Sequence, residues 1–329
     1  MNNWLLLSSL CLCGQSFFGY HIRMAFEPLA FHNGRLVPRS GVAVSFNDAG
    51  IVSAVTVTDF ARTYGRALFR WPDHLARFRR DCAACYILLH FTDAELTVAA
   101  ETLLAENAQF LAAEDEFALI TFATPGPLGY MVGLPDNGPP TLVMHAFRLP
   151  TERYARFDDN GVSLAVVGTL PESSVLPGGV KHRSRLHWWM AEKLAAEQNP
   201  GAVAVLVDAH GASADTALGG VLAVTGETVY RSPVGKVQDS ISLQVAKEAC
   251  AKLGLGWVET AFDFEGLCRP LHPVERGTFN ARVTEVLLAG SGFGVAGVSR
   301  CATQFSHRDF PWPGPVCQQL RRAWHSMTG

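Results

Sequence analysis

A polar, turn-rich stretch at residues 150–161, PTERYARFDDNG, constrains this chain most, because it parts two halves of comparable size. With 329 residues there is room for two cores, since a single one stops growing near roughly 250–300 residues. Neither half alternates strand and helix in a regular βαβ order, so the expected class is α+β. The expected organisation is a small N-terminal α/β domain at 24–150, a linker at 151–161 and a larger, β-rich domain at 162–329.

In the first half, β-like runs flank His32-Asn33-Gly34, and Asn-Gly supplies the positive φ values of a tight hairpin turn. Asn47 to Gly50 marks a second turn, and the Val/Thr-rich residues 51–58 suit a strand or a short helix leading into one. Asp73 is placed to cap a helix that starts at His74, with Arg77 on its first turn. That helix carries Leu75, Phe78, Cys82 and Cys85 at helical spacing, which directs both thiols into a core. A second helix is announced by Thr92 and Glu95, a capping-box pair, and by the apolar face of Leu96, Ala99, Leu103 and Leu104. Strands are expected at 118–123 and 141–147, separated by a Pro/Gly-rich loop.

In the second half, a strand at 162–167 leads to a Pro-Gly-Gly turn that delivers Lys181 just ahead of a helix expected over 183–197. Residues 202–208 form a continuous apolar strand. Residues 208–220, DAHGASADTALGG, read as a long small-residue loop holding Asp215, and strands follow at 221–225 and 228–231. Ser240 or Asp239 caps a helix of Ile241, Val245, Ala249 and Leu253 that stops at Gly254. Residues 258–264 and 285–289 complete the expected strands.

Composition excludes several classes. A formal charge of −3, with no basic run longer than Arg79-Arg80, leaves no electrostatic footprint for nucleic acid. Eight cysteines in so long a chain are too few for a disulfide framework, and their spacing offers no metal-ligand set. The first 23 residues stand apart. Their apolar run of about ten residues is too short to span a bilayer and lacks the basic start of a signal peptide, so a cytoplasmic protein not bound to membrane is expected.

Four pieces of chemistry remain. Lys181 projects an amine from the rim of a folded element, and Asp215 sits where the chain re-enters a core. Asp239 to Ser242 offers free N–H groups and hydroxyls at a helix start, a ready anion site. Ala289-Gly290-Ser291-Gly292 turns on glycine and exposes another N–H and hydroxyl. An amine, a carboxylate and two phosphate-suited turns are what a pyridoxal phosphate site requires.

In this order the pieces resemble the class IV, fold type IV pyridoxal-phosphate family of branched-chain aminotransferases, D-amino-acid aminotransferases and aminodeoxychorismate lyases. The likeness runs from about residue 28 to 300. It begins with HNGRLV at 32–37 and the Asp48-x-Gly50 turn, and continues with DHLARF at 73–78, which is similar to the family's His-x-x-Arg-Leu segment. VKHRSRL at 180–186 resembles the lysine segment of the lyase and D-amino-acid branches, with Leu186 where the branched-chain enzymes carry tyrosine. Ile241 and Ser242 fall on the Gly-Ile-Thr/Ser phosphate turn, and EVLLAGS at 285–291 is similar to Glu-Val-Phe-x-x-Gly-Thr.

The resemblance implies a pyridoxal 5′-phosphate-dependent aminotransferase that moves an amino group between an amino acid and a 2-oxo acid, works as a homodimer and holds its cofactor as a Lys181 aldimine. Arg77, Ile241, Ser242 and Ser291 would hold the cofactor phosphate, and Asp215 the pyridine nitrogen. His182, Arg185 and His187 would reach a substrate carboxylate or serve the structure. Three departures stand out: Asp215 replaces a glutamate, Gly220 an asparagine, and Ser240 the glycine of the phosphate turn. An aminodeoxychorismate lyase-type elimination giving 4-aminobenzoate, and a non-catalytic binding protein of the same fold, are the alternative expectations.

Overall fold

The computed structural model describes residues 27–171, 175, 179–212, 214–271 and 277–328, so the N-terminal 23 residues and the Pro177-Gly178 turn lie outside the described residues. The first half contains β1 (Leu29–His32), β2 (Arg35–Pro38), α1 (Ala49–Val52), β3 (Val57–Tyr64), β4 (Ala67–Leu68), α2 (Trp71–Ala84), α3 (Asp93–Asn107), β5 (Phe117–Thr124) and β6 (Thr141–Arg148). Its strands form one antiparallel sheet of order β2-β1-β6-β5-β3-β4. The hairpin turn is the expected one, with Asn33 at φ 47° and Gly34 at φ 90°. Leu75, Phe78 and Cys82 of α2 and Leu96, Ala100 and Leu103 of α3 pack on Leu119, Leu142 and Met144 of the sheet. Burial raises the Cys82 thiol above its ordinary value, as suits a packing residue.

Helix α2 begins at Trp71, three residues before the position read from the sequence. Pro72 explains the difference, because a first-turn proline has no N–H to lose and its φ is already helical. Asp73 therefore pairs with Arg70 at 3.2 Å instead of capping, and Arg77 falls on the second turn. The capping box of Thr92 and Glu95 at the start of α3 is formed in both directions.

The second half follows with α4 (Thr151–Asn160), β7 (Val162–Thr169), α5 (Leu186–Gln198), β8 (Val203–Val207), β9 (Ala214–Thr216), β10 (Gly220–Thr225), β11 (Thr228–Arg231) and α6 (Ile241–Leu253). It ends with β12 (Gly256–Glu259), α7 (Phe264–Leu267), α8 (Phe279–Arg282), β13 (Glu285–Gly290), β14 (Gly294–Ala302), β15 (His307–Asp309) and α9 (Pro315–His325). Nine strands form a mixed sheet of order β12-β11-β10-β13-β14-β7-β8-β9, with β15 beside β14. Because β9 pairs with both β8 and β10, six of these strands close on themselves. Val221 and Ala223 face the inner core with Val203, Val205 and Leu288. Leu222 and Val224 face outward, under α6 and α9. Both faces are covered, which accounts for the near-continuous apolar strands.

Several elements depart from the sequence reading. Residues 151–161, expected to be a turn-rich linker, are helical through Thr151–Asn160, and Phe157 anchors them in the second core. A strand expected over 258–264 ends at Glu259. Asp263 instead caps α7 by accepting the Gly266 N–H at 2.7 Å. The expected 208–220 loop contains β9, and β14, the longest strand of the second half, has no clear signal in the sequence because two glycines dilute its β character. Residues 181–183 lie extended before α5, which starts only at Leu186.

Candidate active site

Lys181 reaches its place through backbone pairing. Its carbonyl accepts the Thr58 N–H at 2.9 Å, and the Arg183 N–H donates to the Thr56 carbonyl at 2.8 Å, so 181–183 run beside the start of β3. The Lys181 N–H donates to Asp81 Oδ2 at 3.0 Å, tying the segment to α2 as well. The side chain then enters a cavity of about 360 Å³ whose wall is drawn from both sheets.

Arg77, Lys181, Asp215, Ser242 and Ser291 all line this cavity. Ile241 does not: its side chain is buried in the core under α6 and α9, so only its backbone N–H is available to the site. Arg77 is 4% exposed and donates through Nε and Nη2 to Asp59 Oδ2 at 3.0 and 2.5 Å. His74 Nδ1 lies 2.6 Å from the other Asp59 oxygen. Burial alone would raise the Asp59 carboxyl, but the Arg77 and His74 charges and hydrogen bonds outweigh it and hold the carboxyl well below the usual carboxylate range. Asp59 thereby stays ionised and aims the guanidinium. Arg77 Nη1 has no hydrogen-bond partner among the described residues and remains available to a ligand.

Burial, helped by the Arg77 and Arg185 charges, pushes the Lys181 amine down to about 7. Asp215 lies on β9, where Oδ1 accepts the Thr216 N–H at 2.8 Å and Oδ2 the Gln238 N–H at 3.3 Å. Burial pushes its carboxyl up to about 6 against those hydrogen bonds. Both groups therefore exchange their protons close to neutral pH, which is the condition for general acid–base work there.

The start of α6 forms another part of the cavity wall. Ser240 caps the helix by accepting the Leu243 N–H at 3.2 Å, and the Ile241 and Ser242 N–H groups of the first turn have no hydrogen-bond partner among the described residues. Ser242 Oγ stands 3.5 Å from Ser291 Oγ, so the two hydroxyls converge there. The neighbouring Gly220 has a packing reason. A Cβ on it would lie 2.5 Å from Leu243 Cδ1, so Leu243 occupies the room a larger side chain would need.

Among the lining residues that the sequence does not single out are Asp59, Arg153, Tyr154, Arg183 and Gln238. Arg153 and Tyr154 come from α4, the segment expected to be a mere connector. Arg183 stacks over Phe122, 4.4 Å from the ring centroid, and Arg185 donates to the Ala217 carbonyl at 3.0 Å. His182 and His187 lie outside the cavity lining, their rings 6.2 Å apart. Only Asp59 leaves a legible trace, an acid in the middle of the strand pattern VTDFARTY. Among the described residues no cluster of His, Cys, Asp and Glu is placed to hold a metal ion, and no helix is long and apolar enough to cross a membrane.

Comparison with known proteins places these features in a family. A family profile described as amino-transferase class IV matches residues 56–301. No curated protein sequence matches the chain. Solved structures do. The branched-chain amino acid aminotransferase of Escherichia coli superposes with a TM-score of 0.75 at 16% identity, covering 91% of this chain and 94% of that one. That of Thermoproteus uzoniensis, solved with norvaline, gives 0.74 at 18% identity, covering 91% and 93%. The enzyme of Thermobaculum terrenum, solved in its PLP-form, gives 0.73 at 17% identity, covering 92% and 94%.

Proposed function

The chain belongs to the amino-transferase class IV family, and on that premise we propose that it is a pyridoxal 5′-phosphate-dependent aminotransferase acting on an amino acid and a 2-oxo acid. One observation carries the reading: the amine of a half-buried lysine, a buried carboxylate and a helix start face one cavity. The donor set suits the cofactor group by group. A guanidinium, two backbone N–H groups and two hydroxyls match a phosphate, Asp215 matches a basic ring nitrogen, and Lys181 matches an aldehyde.

When bound, pyridoxal phosphate supplies an aldehyde for an amine and an electron-poor ring that takes up the electron pair of a substrate carbon. The chain supplies the rest. Arg77, the N–H groups of Ile241 and Ser242, and the hydroxyls of Ser242 and Ser291 hold the phosphate, with Asp59 and His74 fixing Arg77 from behind. Asp215 in its ionised form holds a proton at the ring nitrogen, with the Thr216 and Gln238 N–H groups supporting its charge. Lys181, with its amine near 7, is free of its proton often enough at neutral pH to accept one at Nζ and return it. The arginines at the mouth, Arg153, Arg183 and Arg185, bind and orient the substrate carboxylate. Aromatic and aliphatic side chains, Phe60, Ile120 and Phe147, line the same space and limit water.

The amino acid and 2-oxo acid are the partners of this reading, and a homodimer is proposed with it. The exposed Leu186, Trp189, Met190 and Leu194 on α5 support a covered face. The test of the function is Lys181→Ala. The wild-type protein should take up pyridoxal phosphate, show the absorbance of a lysine-linked cofactor and consume a keto acid in the presence of an amino donor. The variant should show neither band nor turnover, and a wild-type protein that takes up no cofactor ends the reading.

A second reading keeps the site but makes the reaction an elimination that yields 4-aminobenzoate. The observation favouring it is the number of arginines at the mouth, three where one carboxylate needs fewer. Formation of 4-aminobenzoate without consumption of a keto acid decides for it.

A further inference from the structure

Gln238 stands between the two ionisable groups of the cavity. Its backbone N–H donates to Asp215 Oδ2 at 3.3 Å, and its side-chain Oε1 accepts from the Lys181 amine at 3.4 Å. The segment that carries it is held on either side: Arg231 pairs with Asp239 at 3.2 Å, and Val234 bridges Val237. Its third polar group is unused. Gln238 Nε2 is shut off from solvent and has no hydrogen-bond partner among the described residues, although the residue lines the cavity. Gln238 is thus held to the two ionisable groups by its side-chain oxygen and its backbone N–H.

We propose that Gln238 is a positioning residue that ties the Lys181 amine to the Asp215 carboxylate. It sets the protonation of the amine through its side-chain oxygen and that of the carboxylate through its backbone N–H. A leucine of similar volume would fill the space and do only the second.

The experiment compares wild type with Gln238→Leu and Gln238→Glu. It uses protein freed of cofactor and follows the pH dependence of Lys181 modification by trinitrobenzenesulfonate, read at the Lys181 peptide. The midpoint should rise by at least one pH unit in Q238E, where a carboxylate replaces the amide oxygen, and fall in Q238L, where the amine loses its acceptor. Identical midpoints in all three proteins overturn the link to Lys181. The measurement needs no bound pyridoxal phosphate, so a failure of the functional reading leaves its outcome standing.

Discussion

Asp81 Oδ2 accepts the backbone N–H of Lys181 at 3.0 Å, and Asp81 stands one helical turn beyond Arg77 on α2. The helix that aims the guanidinium therefore also fixes the height at which the lysine enters the cavity. Replacing Asp81 by Ala should release the Lys181 segment without touching the amine. A displacement of about 1 Å can cost roughly a hundredfold in rate, so a loss of that order in kcat is expected. Steady-state kinetics check it, and turnover within twofold of wild type would separate Asp81 from the positioning of Lys181.

Asp215→Asn keeps the shape of the side chain and removes the charge that would hold a proton at the ring. The expected outcome is a fall in kcat of a hundredfold or more with cofactor affinity changed by less than tenfold. A larger isotope effect with α-deuterated substrate should accompany it, since proton removal becomes slower than every other step. Unchanged turnover would take Asp215 out of the chemistry.

The Lys181 amine also leaves a mark on stability. Its folded affinity for protons is lowered to about 7, against an ordinary value of 10.5. Between those pH values the unfolded chain binds more protons than the folded one, so the contribution of this group to stability rises with pH across that window. Below pH 7 the full cost of burying the charge is present. In protein freed of cofactor, Lys181→Met should therefore be more stable than wild type below pH 7, with the difference shrinking towards pH 10.5. Chemical denaturation at pH 6, 8 and 10 measures it. A difference that is constant with pH would mean that the amine is not held in a desolvated place.

Gly220 and Leu243 should be coupled. An asparagine at 220, the residue the family resemblance leads one to expect there, brings its Cβ to within 2.5 Å of Leu243 Cδ1. Gly220→Asn alone should destabilise by about 1–3 kcal/mol, the usual cost of overpacking. The double change with Leu243→Ala should recover much of that loss, as thermal melts of the four proteins will show. A double variant less stable than either single one would contradict the steric account.

The Glu285 carboxylate accepts the N–H groups of Val316 and Cys317 at 2.8 and 2.9 Å, at the start of α9. It is 3% exposed. Gly314 permits this, because a Cβ there would lie 2.2 Å from the carboxylate. Glu285→Ala should lower stability by about 1.5–3 kcal/mol, the range for hydrogen bonds to a charged group, and leave the cofactor absorbance unchanged. A melting temperature equal to wild type would show that α9 is held by its apolar face alone.

Much of the candidate site is legible in the sequence because its residues are announced locally. Lys181 follows a glycine turn, Ser242 opens a capped helix and Ser291 sits in a glycine turn after a strand, each a signal confined to a few neighbours. Residues recruited from a distance leave no such signal. Gln238 matters because a strand remote in sequence places Asp215 beside its backbone, and Arg153 because α4 lies against the mouth. The same division holds for the fold. Asn33-Gly34 and the Thr92/Glu95 box act within four residues and can be read directly. By contrast β14 is a strand by virtue of its partners β13 and β7, and its glycines suit close neighbours: a Cβ on Gly297 would lie 2.7 Å from Trp312.

Closure of the larger sheet through β9 bears on how such a protein can diversify. The strand that carries Asp215, Ala214–Thr216, has neighbours on both sides and is fixed between β8 and β10. The mouth is under no such constraint, since Arg153 and Arg183 donate no hydrogen bond to another side chain among the described residues. A substitution at the entrance therefore leaves the closed strand beneath it undisturbed.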